Sequence, residues 1–342
     1  MTKEKSARNQ PRFVSAEQVA RKAGVSRSAV SRTFTPGASV SPATREKVLK
    51  AAEELGYHVN DLARGILANQ SRLVGIVATK PEVGFRSHLT AALSKALIAR
   101  GSVPVLINTG QTEEELLAAQ RILIGHRAAA TIILSGSPPA SFFELARRNG
   151  QPVVMIGRGE AGADLVQAGN QEAASRAAEL FIEAGRKKLA YIGSHSGTPS
   201  IREREIAFAQ ACQAHGLGPI PMAHGADSDY QGGVTAAREL LEAKAEFDAI
   251  FCANDLLALG LIDILRRAGL RVPQDVAVMA FDDVPEAAWL NYSLTTFRQD
   301  PQQVASAVIT LLEQRALNAD APSQIVRIIP DLVVRESFIP TR

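Results

Sequence analysis

Between Leu73 and Phe281, short apolar runs alternate with longer amphipathic segments, and the alternation runs through twice. The first series reads LVGIVA, VPVLINT, ATIILS and PVVMIG, with helices expected near 87–100, 112–125 and 139–149. After Asn170 the rhythm restarts. A helix over 171–185 leads into KLAYIG, PIPMAH, AIFCAN and VAVMAF, separated by helices over 201–215, 231–244 and 255–268. Runs this apolar are strands buried on both faces, which requires parallel sheets with helices on each side. Two series imply two doubly wound parallel-sheet subdomains. Ligands of open α/β sheets bind beyond the carboxyl ends of the strands, so two facing subdomains enclose a cleft.

The polar residues at those strand ends are therefore candidates for ligand contact. AIFCANDLLALG ends its strand at Asn254 and Asp255, and VAVMAFDDVP ends at Asp282 and Asp283. One residue of each pair is expected to cap the next segment, and Asp255 and Asp283 are assigned that part. The other faces the cleft with acceptors suited to hydroxyl groups. Arg204, early on the helix after YIGSHSGTPS, is expected at the cleft mouth, although a lone helical arginine is more often solvated surface.

Catalytic signatures are missing from the strand ends. There is no phosphate-cradling P-loop and no GxSxG elbow, and the six histidines are scattered. Adjacent carboxylates on a strand end point to opposite sides, so Asp282 and Asp283 cannot flank one bond. The expectation is a protein that is not an enzyme and has no cofactor or metal. Cys212 and Cys252 sit in apolar contexts and are read as reduced core residues. No run approaches a bilayer span and the N-terminus carries no signal-like apolar stretch, so a cytoplasmic, nucleoid-associated location is expected.

Charge divides the chain unevenly. Residues 1–72 hold 13 Lys and Arg against 6 Asp and Glu, whereas the other 270 residues hold 25 against 29. A basic head on a mildly acidic body suits a polyanion-binding module, but charge alone fits a solvated surface as well. The spacing within the head is more specific. Ser15 caps a helix over 16–23 with Gln18 completing a capping box, Gly24 ends it, and Ser26 caps a second helix through about Phe34. Ser41 caps a third, with Pro42 at its first position and Gly56 near its end. Ala20, Gly24 and Val30 supply the small residue, the positive-φ turn and the apolar back-packing residue of a helix-turn-helix. Val19, Ala23, Val25, Val48, Ala51, Ala52 and Leu55 fill the interior. The outward face of the second helix then carries Arg27, Ser28, Ser31 and Arg32, a donor-rich surface sized for a major groove.

The stretch VSAEQVARKAGVSRSAVSRTF…VSPATREKVLKAAEELGYHVN resembles the DNA-binding headpiece of LacI-type, lactose-repressor-like, transcription regulators. The resemblance implies that Arg27, Ser28 and Arg32 read base edges. Ser15, Ser26, Ser31, Ser41 and Thr44 match hydroxyls or caps that reach phosphates. LARGILANQS, residues 62–71, matches the family's hinge helix, with Asn60 as cap. Ile66 aligns with the minor-groove wedge and Leu67 packs beside it or competes for the role. Val59, where proline commonly stands, and Gly65 both depart from the pattern, and Gly65 costs about 1 kcal/mol of helix propensity.

The resemblance extends over the body, most specifically at AIFCANDLLALG and RVPQDVAVMAFDDVPEAAWLNYSLTTFRQDP. It implies a periplasmic-binding-protein-like α/β core. Residues 1–12 form a flexible basic tail, 13–59 the headpiece, 60–71 the hinge and 72–342 the core. Within the core, 72–169 and 298–329 make one subdomain, and 170–297 and 330–342 the other. Arg204, Asn254 and Asp282 take the principal effector-contacting positions. Tyr230 takes the stacking position, Gln299 lies at a crossover beside the pocket, and Phe85 is a pocket wall. Trp289 either lines the cleft or packs the lid of the second subdomain. Ala207 and Ala280 replace usual glycines and add methyl groups near the cleft. Gly157 replaces a frequent polar residue, and the neighbouring Arg158 can donate to an anionic or hydroxylated ligand.

An Arg–Asn–Asp set with an aromatic platform suits a sugar, and Arg158 leaves a sugar phosphate or an acid sugar open. The implied partners are double-stranded operator DNA, a small carbohydrate effector and a second copy of the chain. A dimer is expected because one short helix reads too few bases and no leucine heptad tail follows LVVRESFIPTR. A transport-type sugar-binding protein would account for the body but leaves the headpiece unexplained.

Overall fold

A computed structural model describes residues 13–35, 37–59, 71–110, 112–134, 138–158 and 163–340. Two compact units divide the chain, Met1–Ser71 and Arg72–Arg342. The tail and the hinge positions Asn60, Gly65, Ile66 and Leu67 lie outside the described residues.

In the first unit, α1 (Ala16–Ala23), α2 (Arg27–Thr33) and α3 (Pro42–Leu55) follow the expected caps. Ser15 and Gln18 form a reciprocal capping box, while Ser26 and Ser41 accept from the amides of Ala29 and Thr44. Gly24 closes α1 at φ 67°, a left-handed conformation that a side chain would strain. Val19, Ala20, Val30, Val48, Ala51 and Ala52 form the core, with Ala23, Val25, Phe34, Leu55 and Tyr57 packed around it. Arg45 Nη1 donates to the Thr33 carbonyl at 3.0 Å and ties α3 to the end of α2.

The second unit holds two six-stranded sheets. The first contains β1 (Leu73–Ala78), β2 (Val103–Asn108), β3 (Ala130–Ile133), β4 (Val153–Ile156) and β5 (Asp164–Ala168) in the order β2-β1-β3-β4-β5. Its helices are α4 (Phe85–Ala99), α5 (Glu113–Gly125) and α6 (Ala140–Arg148). The second sheet repeats the winding with β6 (Leu189–Ser194), β7 (Met222–Gly225), β8 (Ala249–Cys252), β9 (Ala277–Asp282) and β10 (Thr295–Arg298). Its helices are α7 (Asn170–Glu183), α8 (Pro199–Ala214), α9 (Tyr230–Glu242) and α10 (Asp255–Arg267). The chain then returns through α11 (Pro301–Leu317) to add β11 (Ile325–Ile328) beside β5, and crosses again to add β12 (Asp331–Val333), antiparallel, beside β10. The chain thus passes between the two lobes three times.

Specific contacts fix the returns. Asp164, at the start of β5, accepts from both Nε and Nη2 of Arg315 on α11, at 3.1 and 2.7 Å, and from the Gln324 amide at 2.9 Å. In the second lobe, Asp283 takes Arg298 and Arg335, each at 2.6 Å, and so anchors the C-terminal segment. The α9–α10 contact is unusually close. A Cβ on Gly233 would fall 2.1 Å from the Leu257 carbonyl oxygen, and one on Gly260 would fall 2.3 Å from that of Tyr230. Glycine is required there by approach rather than by φ. Both cysteines are buried, and burial pushes the Cys212 thiol up to about 11.

Candidate functional site

On the first unit, Arg27, Ser28, Ser31 and Arg32 are all exposed on α2, opposite the side that buries Val30 and Thr33. The Ser26 and Ser28 hydroxyls are 2.9 Å apart, and Arg32 Nε lies 3.4 Å from the Ser28 carbonyl. Ser41 and Thr44 share a hydroxyl contact of 2.8 Å at the start of α3. Ser15, Ser26 and Ser41 thus act as helix caps, and each also stays exposed at a helix N-terminus, where partial positive charge favours a phosphate.

In the second unit, a cavity of about 320 Å³ opens at the carboxyl ends of both sheets. Phe85, Arg158, Arg204, Asn254, Asp282 and Gln299 line it. Arg204 is 3% exposed. Its Nε donates to Asn170 Oδ1 at 2.9 Å and its Nη1 to the Ala253 carbonyl at 2.6 Å. The guanidinium carbon stands 3.5 Å from the centroid of the Phe281 ring. Asp282 closes β9 at φ 125°, and its Oδ1 accepts from Gln299 Nε2 at 2.8 Å. Burial raises the Asp282 carboxyl above its usual range, against the pull of Arg204, the Gln299 hydrogen bond and Arg86.

Several expected roles are corrected. Asn254, not Asp255, caps α10: its Oδ1 accepts from the Leu257 amide at 3.0 Å while its Nδ2 donates to the Ser228 carbonyl at 2.9 Å. The extended backbone of Asn254 aims its short side chain back at the helix start, as a cap requires. Asp255 instead points into the lobe, accepting from the Val284 amide and the Thr296 hydroxyl at 2.8 and 2.5 Å. Burial and the neighbouring Asp282 charge hold its carboxyl well above the usual range. Asp283 is an ion-pair hub rather than a cap.

Tyr230 and Trp289 are not among the cavity-lining residues. Tyr230, the first residue of α9 and 40% exposed, turns its hydroxyl to Asp263 of α10 at 2.8 Å. Trp289 ends a short 3₁₀ helix, Pro285–Ala288, whose Ala287 packs inward; the indole itself is 56% exposed. Ala207 and Ala280 are buried in the core of the second lobe, so their methyl groups do not reach the cavity. Phe85 is the aromatic residue that lines it.

Sequence reading overlooked much of the lining. Lys80 follows β1 and ion-pairs with Asp227, which follows β7, so one contact bridges the two lobes. Arg86, in the first turn of α4, lines the cavity and donates from Nη1 to the Thr79 carbonyl at 2.9 Å. Ser196, Thr198 and Ser228 form a hydroxyl chain, with Ser196 to Thr198 at 3.0 Å and Ser196 to Ser228 at 3.1 Å. The available signal was position. Each follows a parallel strand on its carboxyl side, where cleft residues belong.

Among the described residues, no group of three or more His, Cys, Asp or Glu side chains could hold a metal, and no helix is long and apolar enough to cross a membrane. A helix-turn-helix unit with a basic outward helix, followed on one chain by a two-lobed core around a polar cavity, defines a ligand-responsive DNA-binding transcription regulator. Residues 16–60 match the model of the bacterial regulatory proteins of the lacI family, and residues 178–338 match a periplasmic binding protein-like domain. The chain is 30% identical over 327 residues to the ribose operon repressor of Escherichia coli strain K12, covering 94% of this chain and 98% of that repressor. It belongs to the LacI family of bacterial regulatory proteins.

A second curated relative, the HTH-type transcriptional repressor PurR of Photobacterium profundum, is 27% identical over 326 residues, covering 94% of this chain and 97% of its own length. Among solved structures, a complex of the transcriptional regulator CelR with cellobiose matches at 29% identity and TM-score 0.71, covering 95% of this chain and all of that one. The lac repressor dimer bound to operator and the anti-inducer ONPF superposes at TM-score 0.86 with 23% identity, over 95% and 99% of the two chains, a likeness of fold.

Proposed function

We propose that this regulator is a repressor that binds a palindromic operator as a homodimer in the cytoplasm and is released by a small carbohydrate-type effector. The observation that carries the effector reading is the cavity lining. Arg204, Asp282 and Gln299 offer a donor, an acceptor and an amide, the Ser196–Thr198–Ser228 chain adds hydroxyls, and Phe85 supplies an apolar wall. That mixture matches a polyol, whose hydroxyl edge needs paired donors and acceptors and whose CH face needs a ring. The names of two relatives, a ribose operon repressor and a regulator complexed with cellobiose, point the same way.

For DNA, Arg27 and Arg32 are suited to guanine O6 and N7, with Ser28 between them, and Ser15, Ser26, Ser31, Ser41 and Thr44 supply phosphate donors. Pairing two copies doubles a short reading surface and matches twofold DNA. Exposed Ile98, Val103, Leu106 and Ile122 on α4, β2 and α5 support an apolar contact through the first lobe. Ile66, with Leu67 beside it, is assigned to the minor-groove wedge that kinks the operator.

Effector binding shifts the balance between lobe orientations only by its unequal affinity for them. A calorimetric carbohydrate screen tests the site: the binder's heat should vanish in Arg204→Ala and in Asp282→Ala. Normal binding in both variants discards the site. Operator affinity should fall steeply with salt yet exceed affinity for random duplex, and equal affinity for both would remove the specificity claim.

A further inference from the structure

The charge lining the cavity is lopsided. Its described walls carry five basic residues, Lys80, Arg86, Arg158, Arg204 and Arg298, against two acidic ones, Asp227 and Asp282. Two of the bases are neutralised by the protein, Lys80 by Asp227 and Arg298 by Asp283. Setting Arg158 aside, Arg204 and Arg86 then face the single carboxylate of Asp282. Arg204 is the better served, with Asp282 as its principal charge neighbour and the Phe281 ring beneath it. Arg86 has no ion pair among the described residues, and its Nη1 donates to a neutral carbonyl, that of Thr79. It is only partly exposed, and burial holds its guanidinium below the ordinary range although Asp227, Asp282 and Glu82 lie within reach of its field.

A partly desolvated cation without a paired anion is a standing cost to the fold. It is tolerated where something else supplies the anion. Backbone polarity adds to the same bias. The N-terminal residues of α4, α7, α8 and α10 (Phe85, Asn170, Pro199 and the cap Asn254) all border the cavity. Three of those helices, α4, α7 and α8, start without a side-chain cap hydrogen bond, and of these only α7 carries a carboxylate, Glu172, in its first turn. Helix N-termini carry partial positive charge and favour anions. A neutral polyol would satisfy the hydroxyl chain and Asp282 but would leave Arg86 unanswered.

We propose that the effector of this regulator carries an anionic group, phosphate or carboxylate, and that this group seats against the Arg86 guanidinium on the first turn of α4. The claim rests on the carbohydrate reading for the rest of the ligand but not for the anion itself. Arg86 thereby becomes the residue that separates charged effectors from their neutral parents. Because a guanidinium offers paired donors in one plane, Arg86→Lys keeps the attraction and loses the geometry.

The test uses the full-length chain and inorganic phosphate as the first probe. Thermal unfolding is followed with phosphate and with chloride at matched ionic strength, in the wild type and in Arg86→Gln. The expected result is a phosphate-specific rise in melting temperature in the wild type that shrinks in Arg86→Gln. Any phosphate held by the headpiece contributes equally to both proteins and cancels. An identical rise in both proteins overturns the proposal. The second probe is a calorimetric comparison of ribose, ribose 5-phosphate, glucose, glucose 6-phosphate and gluconate. A charged member is expected to bind at least about tenfold more tightly than its neutral parent, with the advantage lost in Arg86→Gln and partly kept in Arg86→Lys. Phosphate esters binding without gluconate assign the group to phosphate, and the reverse assigns it to carboxylate. A neutral sugar that binds wild type and Arg86→Gln equally, and better than its charged derivatives, sinks the anion and leaves the carbohydrate reading standing. A phosphate-specific, Arg86-dependent shift with no sugar bound keeps the anion and sinks the carbohydrate.

Discussion

Asp282 and Gln299 are joined twice: the Gln299 amide donates to the Asp282 carbonyl at 3.2 Å, and its side-chain Nε2 to Asp282 Oδ1 at 2.8 Å. The acid at the end of β9 is thereby fixed to the residue where the chain leaves for the first lobe. Its burial pushes the carboxyl up to about 6. A raised folded-state pKa means that the native state binds the proton more tightly than the unfolded chain. Stability from this group is therefore greatest below about pH 4 and declines as pH rises to about 6. Arg204, Arg86 and Asp255 all share its field, and the Asp255 carboxyl is raised with it. Asp282→Asn should flatten the stability–pH profile between about pH 4 and 6, by on the order of 2 kcal/mol relative to wild type. Urea midpoints measured across that window check it, and parallel profiles would contradict the assignment.

The Lys80–Asp227 pair spans the lobes at the cavity wall with both side chains partly in solvent. Such pairs contribute little to folding, but this one forms only when the two lobes are close. Lys80→Ala should shorten effector residence by roughly two- to fivefold while leaving the urea midpoint unchanged. Stopped-flow dissociation shows the effect, and raising salt should shrink the gap between variant and wild type. A shifted midpoint with unchanged dissociation would reverse the interpretation.

In the headpiece, the proposed base-reading role of Arg27 and the capping role of Ser26 fall on neighbouring residues. Arg27 is exposed on α2, whereas the Ser26 hydroxyl accepts from the Ala29 amide at 3.2 Å. Arg27→Ala is expected to cost about 1–3 kcal/mol of operator binding with no loss of stability. Ser26→Ala should cost about 1 kcal/mol of headpiece stability through its lost cap. Fluorescence anisotropy on labelled operator and headpiece melting separate the two. Arg27→Ala binding its operator as wild type does would remove it from the reading surface.

The α9–α10 seam permits no side chain at Gly233, where a methyl group would overlap the Leu257 carbonyl. Gly233→Ala should destabilise the core by about 1–3 kcal/mol, the usual range for overpacking, and more if the helices cannot part. Differential scanning calorimetry of the full chain measures it. Gly216→Ala, at φ 79° with open space around it, is the control in which backbone strain acts without a clash. Equal losses in the two variants would mean that the seam is not the cause.

Period and caps made the architecture legible before any coordinates. LVGIVA is β1 to the residue, and Ser15, Ser26 and Ser41 begin the three headpiece helices. What escaped was held together by distant partners. DLVQA pairs with β4 and with β11, and Asp164 at its start is held by Arg315, 151 positions along, while TTFR and IVRI are too short to show a period. Side-chain direction was the other blind spot. Asn254 and Asp255 are interchangeable as caps by composition, and only the extended backbone at Asn254 decides between them. Tyr230 has a partner in Asp263 that no local pattern announces. Arg86 was hidden among ordinary helix-surface arginines.

All three passages between the lobes border the cavity: Ala168 and Asn170 at the first, Arg298 and Gln299 at the second, Ile328 and Pro330 at the third. The three segments that join the lobes are therefore part of the cavity wall. No relay across the core is needed to couple these crossovers to the filling of the chamber. On the proposed mechanism, occupancy and bending angle are read at the same atoms, so a ligand of altered size acts on the joint itself. Weak and strong effectors of this regulator should differ in the angle at which they hold that joint, as well as in how tightly they bind.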